Sequence, residues 1–440
     1  MKGGVSNIVM AEHTVDPNRW IVLSHPSGRV SYWPEHRPIP AGWSATSIIG
    51  NEAECLAAIA EGLPRPAQEP QQGRQPGSAT AATEDRRSLG LSMMFFGDSE
   101  EDPSGDKYRF LFDLARFADD QGFRGLWLPE RHFTKFGCLF PSPPILCGAI
   151  AQQTTHLRLR AGSVVMPLHD PIRVAEEWSV VDNLSRGRVE VAFASGWHPD
   201  DFILAPETYP TRVEEMFTGI AQVHALWSGQ SIVRRNGAGQ SVPVRIYPTP
   251  RQATLPTWLT AAGNPATFHA AGRHGYGVLT HLFHQDLHQL CENVQRYRQG
   301  LLEGGHGIGK GRIAVTLHTF IANSLEDVIA TAGRGYCQYM RNHLGLLKHL
   351  AFSQGHEIDE KKLSAAELDS LLDYLLKKFV GGRSMMGTID SCLETCRELA
   401  AIGIDEIACL MDFGPDPEAI RKNLPLLAAL HRQLATLRVS

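Results

Sequence analysis

The sequence has no surplus of either charge: 42 Lys and Arg against 47 Asp and Glu leave a formal net charge of −5 over 440 residues. So balanced a chain carries no electrostatic footprint for nucleic acid or an anionic membrane. It also lacks any long charge-free apolar run, and its opening MKGGVSNIVMAEHTV lacks the apolar centre of a secretory signal. A membrane span and export are therefore not expected, and a cytoplasmic location is. Eight cysteines stand at irregular spacings without a CxxC pair, which fits a reducing compartment. Cys392 and Cys396, four apart, read as one packed helix face. No HExxH occurs, and His281, His284 and His288 have no Cys or carboxylate at ligand spacing, so they read as structural or rim histidines and no metal site is expected. No Gly-x-Gly-x-x-Gly follows a strand-like run, which excludes a separate dinucleotide-binding domain. GGHGIGKG at Gly304–Gly311 stops short of a P-loop, follows a helix rather than a strand, and reads as a plain loop.

What is present is an ordinary globular composition, 43% apolar and 20% charged, at a length that favours two units. Residues 1–63 hold the first. Arg19–Leu23 and Arg29–Trp33 read as a hairpin about a Pro26-Ser27-Gly28 turn, and Glu52–Glu61 as a helix with Cys55, Leu56 and Ile59 inward. Trp33 and Trp43 either fill this small core or form an exposed aromatic clamp for a partner, and the residues alone leave both open. From 64 to 87 Pro, Gln, Gly, Ser and Ala follow without periodicity, as in a flexible linker.

Residues 88–440 alternate strand and helix. Strands are expected at Leu89–Phe96, Gly125–Leu128, Leu157–Met166, Arg188–Ala194, Thr257–Ala261, Gly277–Thr280, Ile313–Ile321 and Glu406–Met411. Helical segments separate them, one long stretch runs to about Phe379, and Asp416–Leu437 closes the chain. Eight such strands predict a (β/α)8 TIM barrel rather than a doubly wound sheet. In a parallel barrel the strand ends share one rim, and between Gly125 and Phe202 three of them carry chemistry-capable residues: Glu130-Arg131-His132, Gly162-Ser163 and Ser195-Gly196-Trp197. Consecutive ionisable groups at a strand end are costly to bury without purpose, and His132 can move protons near neutral pH. Gly263, Asn264, Pro265 and Thr267 open a helix just after a strand, where free N–H groups suit a phosphate.

Two resemblances add to this reading. SGRVSYWPEHRPIPAGW followed by ECLAAIAEGL resembles the MbtH-like proteins, partners of nonribosomal peptide synthetase adenylation domains. It implies a small α+β domain in which Ser31, Trp33 and Trp43 contact an adenylation domain. LPERHFTKFGCLFPSP, then RAGSVVMPLHDPIRVAEEWSVVDNLSRGRVEVAFASGWHPDDF, resembles the bacterial luciferase-like monooxygenases, nearest the natural-product biosynthesis subgroup. That resemblance implies a barrel binding reduced FMN that reacts with O2, with the flavin brought by a separate reductase. It also implies a homodimer. Position by position it places Gly162-Ser163 at a non-proline cis peptide behind the flavin and Ser195-Gly196-Trp197 along it. It places Arg212, Gly263 and Asn264 about the phosphate. The family's catalytic histidine falls on Arg131 and a second on His132, and a phosphate-binding arginine is replaced by Ser195. The expected activity is oxygenation of a peptide or peptide–polyketide intermediate, free or held on a carrier protein. Two further readings are a hydride-transferring enzyme using deazaflavin F420, and an adenylation-domain-binding protein with a degenerate barrel.

Overall fold

The computed structural model describes residues 19–24, 30–35, 37, 39, 43–51, 54–55, 58, 88–96, 107–133, 139–283, 285–342 and 364–437. The chain divides into two compact units, Met1–Ala82 and Thr83–Ser440.

In the first unit β1 (Trp20–Ser24) is the centre of a three-stranded antiparallel sheet, flanked by β2 (Val30–Pro34) and β3 (Ser44–Gly50). The hairpin pairs Ile21 with Trp33 and Leu23 with Ser31. β3 corrects the expectation of a hairpin on one helix. Its SATSIIG has adjacent rather than alternating isoleucines, and its register against β1 shifts between Ile21 and Leu23, so no period of two marks it. Val22, Leu23 and Cys55 are buried at its core, and the Cys55 thiol reaches the Trp20 carbonyl at 3.5 Å. Glu54, Cys55 and Ala58 are helical; the Pro26–Gly28 turn, Leu56 and Ile59 lie outside the described residues.

In the second unit eight parallel strands close on themselves. Around the ring these are β4 (Gly90–Met94), β5 (Gly125–Leu128), β6 (Arg158–Val165), β7 (Val189–Ala194), β10 (Thr257–Thr260), β11 (Gly277–His281), β12 (Ile313–Ile321) and β14 (Glu406–Leu410). β12 pairs with both β11 and β14, and β14 pairs with β4, which completes the (β/α)8 barrel. The excursion after β7 carries a hairpin, β8 (Ile232–Arg235) and β9 (Ser241–Val244). Beyond β12 the sequence suggests one long helical stretch. The described part is broken by π-helical turns at Ile329–Gly333 and Phe379–Arg383, and β13 (Met385–Gly387) then adds a short parallel strand on β12. Three residues are too few to show a period, which explains why β13 is silent in the sequence.

The floor of the barrel is an ion network. Arg160 donates to Glu190 at 2.8 Å and to Glu406 at 2.6 Å, while the indoles of Trp258 and Trp127 donate to the same two carboxylates at 3.0 Å. Its members stand within the first three residues of β5, β6, β7, β10 and β14, toward the end opposite the rim. On the far wall His318 of β12 is fully buried among Phe283, Tyr336, Tyr339, Phe379 and Phe413, with ring centroids 5.0–6.4 Å away. Gly304–Gly311 includes one short turn, Ile308–Lys310, and precedes β12, so it lies toward the floor and not toward the rim.

Candidate active site

β5, β6, β7 and β10 are successive neighbours in the sheet, so the residues beyond them line one half of the rim. Glu130 follows β5 and is buried. Its Oε1 accepts from Nε2 of His132 at 2.8 Å and from Nε2 of His169 at 2.5 Å, and its Oε2 accepts the Val165 N–H at 2.9 Å. Burial opposes the carboxylate, but the hydrogen bonds from both histidines outweigh it and hold Glu130 below its ordinary range. Burial likewise opposes charge on His169, and the Glu130 contact overturns that, raising His169 above an ordinary imidazole. His169 was not singled out from the sequence. It stands in PLHDP, directly before the Asp170 cap of the helix Pro171–Ser185, and only the fold brings it to Glu130.

Arg131 is half-buried, with its guanidinium 5.3 Å from the centre of the Trp197 ring. Asp201, buried in the turn after β7, adds its charge beside Arg131. Burial pushes Asp201 up, against the pull of Arg131, His198 and His132. Asp201 too was missed, since one carboxylate in HPDDF has no pattern of its own.

The Gly162–Ser163 peptide is cis. The pair is not at the strand end, where the sequence suggests it: it forms a bulge inside β6, with Gly162 opposite Ala192 and Val164 already opposite Phe193. The Ser163 hydroxyl lies 2.8 Å from that of Thr260 on β10, a contact that passes β7 on the inner side of the barrel. A Cβ on Gly162 would stand 3.2 Å from Trp127, so the bulge backbone is pressed against the core. Beyond β7, Ser195, Gly196 and Trp197 run onto the rim, with Trp197 56% exposed. Gly196 has φ of 77°, and a Cβ there would fall 2.8 Å from both Val165 and Phe202, so only glycine fits.

Arg212 begins the helix Arg212–Trp227, donates to the Tyr209 carbonyl at 3.0 Å and lies 4.7 Å over the Tyr209 ring. Gly263, with φ of 121°, leads into Asn264, the cap of the helix Pro265–Arg273. That helix packs backbone to backbone on Leu287–Glu303, because a Cβ on Gly272 or Gly300 would meet a carbonyl oxygen at 2.2 Å. The N–H groups expected to be free there are occupied. Asn264 accepts from Ala266 N at 2.9 Å through its side chain and from Thr267 N at 3.0 Å through its carbonyl. A phosphate at this corner would compete with Asn264 for them. A backbone bulge in β6, and a glycine at positive φ and an exposed indole beyond the neighbouring β7, leave room for a planar ring system.

In the first unit Ser31 and Trp43 are half-buried, and the buried Nε1 of Trp33 has no hydrogen-bond partner among the described residues. Among the described residues no group of His, Cys, Asp and Glu is arranged to hold a metal ion, and no helix is long and apolar enough to cross a membrane. His281 accepts from the Phe283 N–H, His288 is exposed, and His284 lies outside the described residues.

Comparison with known proteins adds relatives across the second unit. 4-Hydroxyprotoasukamycin monooxygenase of Streptomyces nodosus subsp. asukaensis is 25% identical over 354 residues, covering 78% of this chain and 91% of the relative. The oxygenase component of flavin-dependent trigonelline monooxygenase from Acinetobacter baylyi is 23% identical over 334 residues, 74% of this chain and 89% of the relative. Among solved structures, the oxygenating constituent of 3,6-diketocamphane monooxygenase from Pseudomonas putida, in complex with FMN, superposes with a TM-score of 0.64 at 16% identity. It covers 80% of this chain and all of that one. The family model for luciferase-like monooxygenases matches residues 88–406. The chain belongs to the luciferase-like monooxygenase family, and it is a flavin-dependent monooxygenase.

Proposed function

We propose that the chain uses reduced FMN and O2 to oxygenate an intermediate of nonribosomal peptide or peptide–polyketide assembly, recruited through its N-terminal unit. The observation that carries the chemistry is the Glu130–His132 contact at 2.8 Å, just beyond β5, the strand that neighbours the Gly162–Ser163 bulge. When bound, reduced flavin would supply the two electrons needed for O2 to give one oxygen atom to the substrate and the other to water. The chain's own residues bind, orient and manage protons. Glu130 fixes the His132 ring, and His132 holds or delivers a proton at Nδ1. Arg131 stays cationic against Trp197 and Asp201, so the proton role belongs to the neighbouring imidazole.

Recruitment rests on the MbtH-like motif and on Trp33 and Trp43, which would contact an adenylation domain. Docking there raises the effective concentration of oxygenase beside a carrier-bound substrate without a tight substrate contact. A separate reductase would deliver the reduced flavin. A homodimer is supported by exposed Ile145, Val180 and Leu184 on the helices Pro143–Ala151 and Pro171–Ser185. The test is intact-mass measurement of carrier-bound substrates incubated with protein, reduced FMN and O2. A gain of one oxygen is expected, and turnover that survives His132→Ala would remove the role given to His132.

The F420 reading draws on an F420-dependent secondary alcohol dehydrogenase of the same fold, with a TM-score of 0.57 at 15% identity over 78% of this chain and 98% of that one. Oxygen consumption with reduced FMN argues for the oxygenase. Oxygen-independent oxidation of a deazaflavin, followed by its absorbance, would replace it.

A further inference from the structure

Glu130 serves two histidines with one oxygen atom. Its Oε1 is 2.8 Å from Nε2 of His132 and 2.5 Å from Nε2 of His169, and its other oxygen is committed to the Val165 amide. An ionised carboxylate only accepts, so both Nε2 atoms carry hydrogen and both rings keep Nδ1 as the atom that gains or loses a proton. Access differs between them. The Glu130 side chain is 2% exposed, that of His132 12%, and that of His169 31%. His169 therefore exchanges protons with solvent most readily, while His132 faces the rim of the site.

We propose that His169 is a positioning residue for His132: the two imidazoles compete for the single charge of Glu130, and the outer ring decides whether the inner one holds a proton at Nδ1. One carboxylate compensates one imidazolium. With His169 charged, the carboxylate is spoken for, and a second charge on His132 meets a like charge across one shared oxygen. With His169 neutral, Glu130 turns its whole charge on His132 and favours the imidazolium there. Loss of a proton from His169 to solvent thus prepares His132 to hold the proton it would deliver. Burial opposes a charge on His169, and Glu130 overturns it, holding the outer ring above an ordinary imidazole. Other charges face the pair from neighbouring elements. Glu177 of the helix Pro171–Ser185 acts on His169, and Asp201, with Arg131 and His198 beside it, acts on Glu130 and His132. All four remain in the variants below, so differences between variants isolate the shared carboxylate.

The inference rests on the reading of His132 as the proton-handling group, but its test does not need turnover. His169→Gln keeps an amide donor for Glu130 and removes the ring's charge. The imidazole resonances of histidine-labelled, flavin-free full-length protein would be followed by NMR against pH, with His132 assigned from His132→Ala. His132 in the parent should titrate in two steps, the first small and tracking His169. In His169→Gln it should titrate once and at higher pH, because the like charge of the neighbouring imidazolium is gone. Superimposable His132 curves in the two proteins would overturn the proposal. Should His169→Gln fail to fold, the parent alone decides, since a His132 curve blind to the His169 step overturns it equally. In turnover with reduced flavin, the pH limb governed by His132 should move upward in His169→Gln. Unimpaired turnover of His132→Ala would cancel the catalytic reading and leave the titration result standing.

Discussion

Replacing Arg160 by methionine should destabilise the barrel more than any other single change on its floor. Methionine fills much of the same volume, so the perturbation is the loss of one cation between Glu190 and Glu406, whose side chains are 3% and 2% exposed. Removing one member of a buried ionic group costs about 3–5 kcal/mol, because the remaining charges lose their compensation. Two features put the figure toward the lower end. Arg124 lends charge to Glu406, and Arg158 stands 3.7 Å from Glu190. The indoles of Trp127 and Trp258 keep their bonds to the carboxylates, and they make tryptophan fluorescence in urea the natural assay. With a slope of roughly 3 kcal/mol/M or somewhat more for a unit this large, the midpoint should fall by about 1 M. Burial works against the Glu406 carboxylate, but Arg160 and its hydrogen bonds hold it below its ordinary value. Its contribution is therefore present above the unfolded value and is lost as pH falls through the folded one, so the gap between variant and parent should close in acid. Arg160→Met combined with Glu190→Gln and Glu406→Gln should recover most of the loss. A midpoint for Arg160→Met within about 0.2 M of the parent at neutral pH would refute the reasoning.

Other expectations can be checked separately. Gly196→Ala places a Cβ at positive φ and 2.8 Å from Val165 and Phe202, so it should cost about 1–3 kcal/mol in urea unfolding and weaken flavin retention; an unchanged midpoint would contradict the steric account. His318 is buried neutral, pushed down to about 3 by burial, so each pH unit below its ordinary value costs the fold about 1.4 kcal/mol. His318→Leu should shift acid unfolding to lower pH, read by far-ultraviolet circular dichroism. Glu130→Gln should lose most stability where Glu130 is ionised and His169 still protonated, and less in alkali once His169 has discharged; equal losses at both ends would remove the ion pair from the account. Trp33→Ala should abolish capture of a purified adenylation domain while leaving the barrel's unfolding transition in place.

The barrel was legible because each of its principal strands is a short apolar run bounded by turn residues, and GLWL and IAVTLHTFI match their strands end to end. What escaped was set by partners rather than by period. SATSIIG becomes a strand only because β1 offers an edge, and MMG only because β12 extends past β14. The same holds at the site. Glu130, Arg131 and His132 announced themselves as consecutive ionisable residues. His169 and Asp201 are single polar residues in separate turns, and their meaning lies in which loops the ring of strands brings together. The cap at Asn264 shows the reverse error. The sequence shows a helix start with donors to spare, and the side chain and carbonyl of the residue at its head consume them.

The extra residue in β6 has a consequence for how the enzyme can change. The bulge at Gly162–Ser163 advances the frame of the strand by one, and it is the residues just past it that reach the proton-handling corner, through the Val165 amide on Glu130. Deleting Ser163 would turn Val164 and Val165 to opposite faces and withdraw that amide. The Gly162–Ser163 bulge and the carboxylate that serves two histidines are in this sense coupled through one amide of β6. Variation that tunes one must keep the other in step.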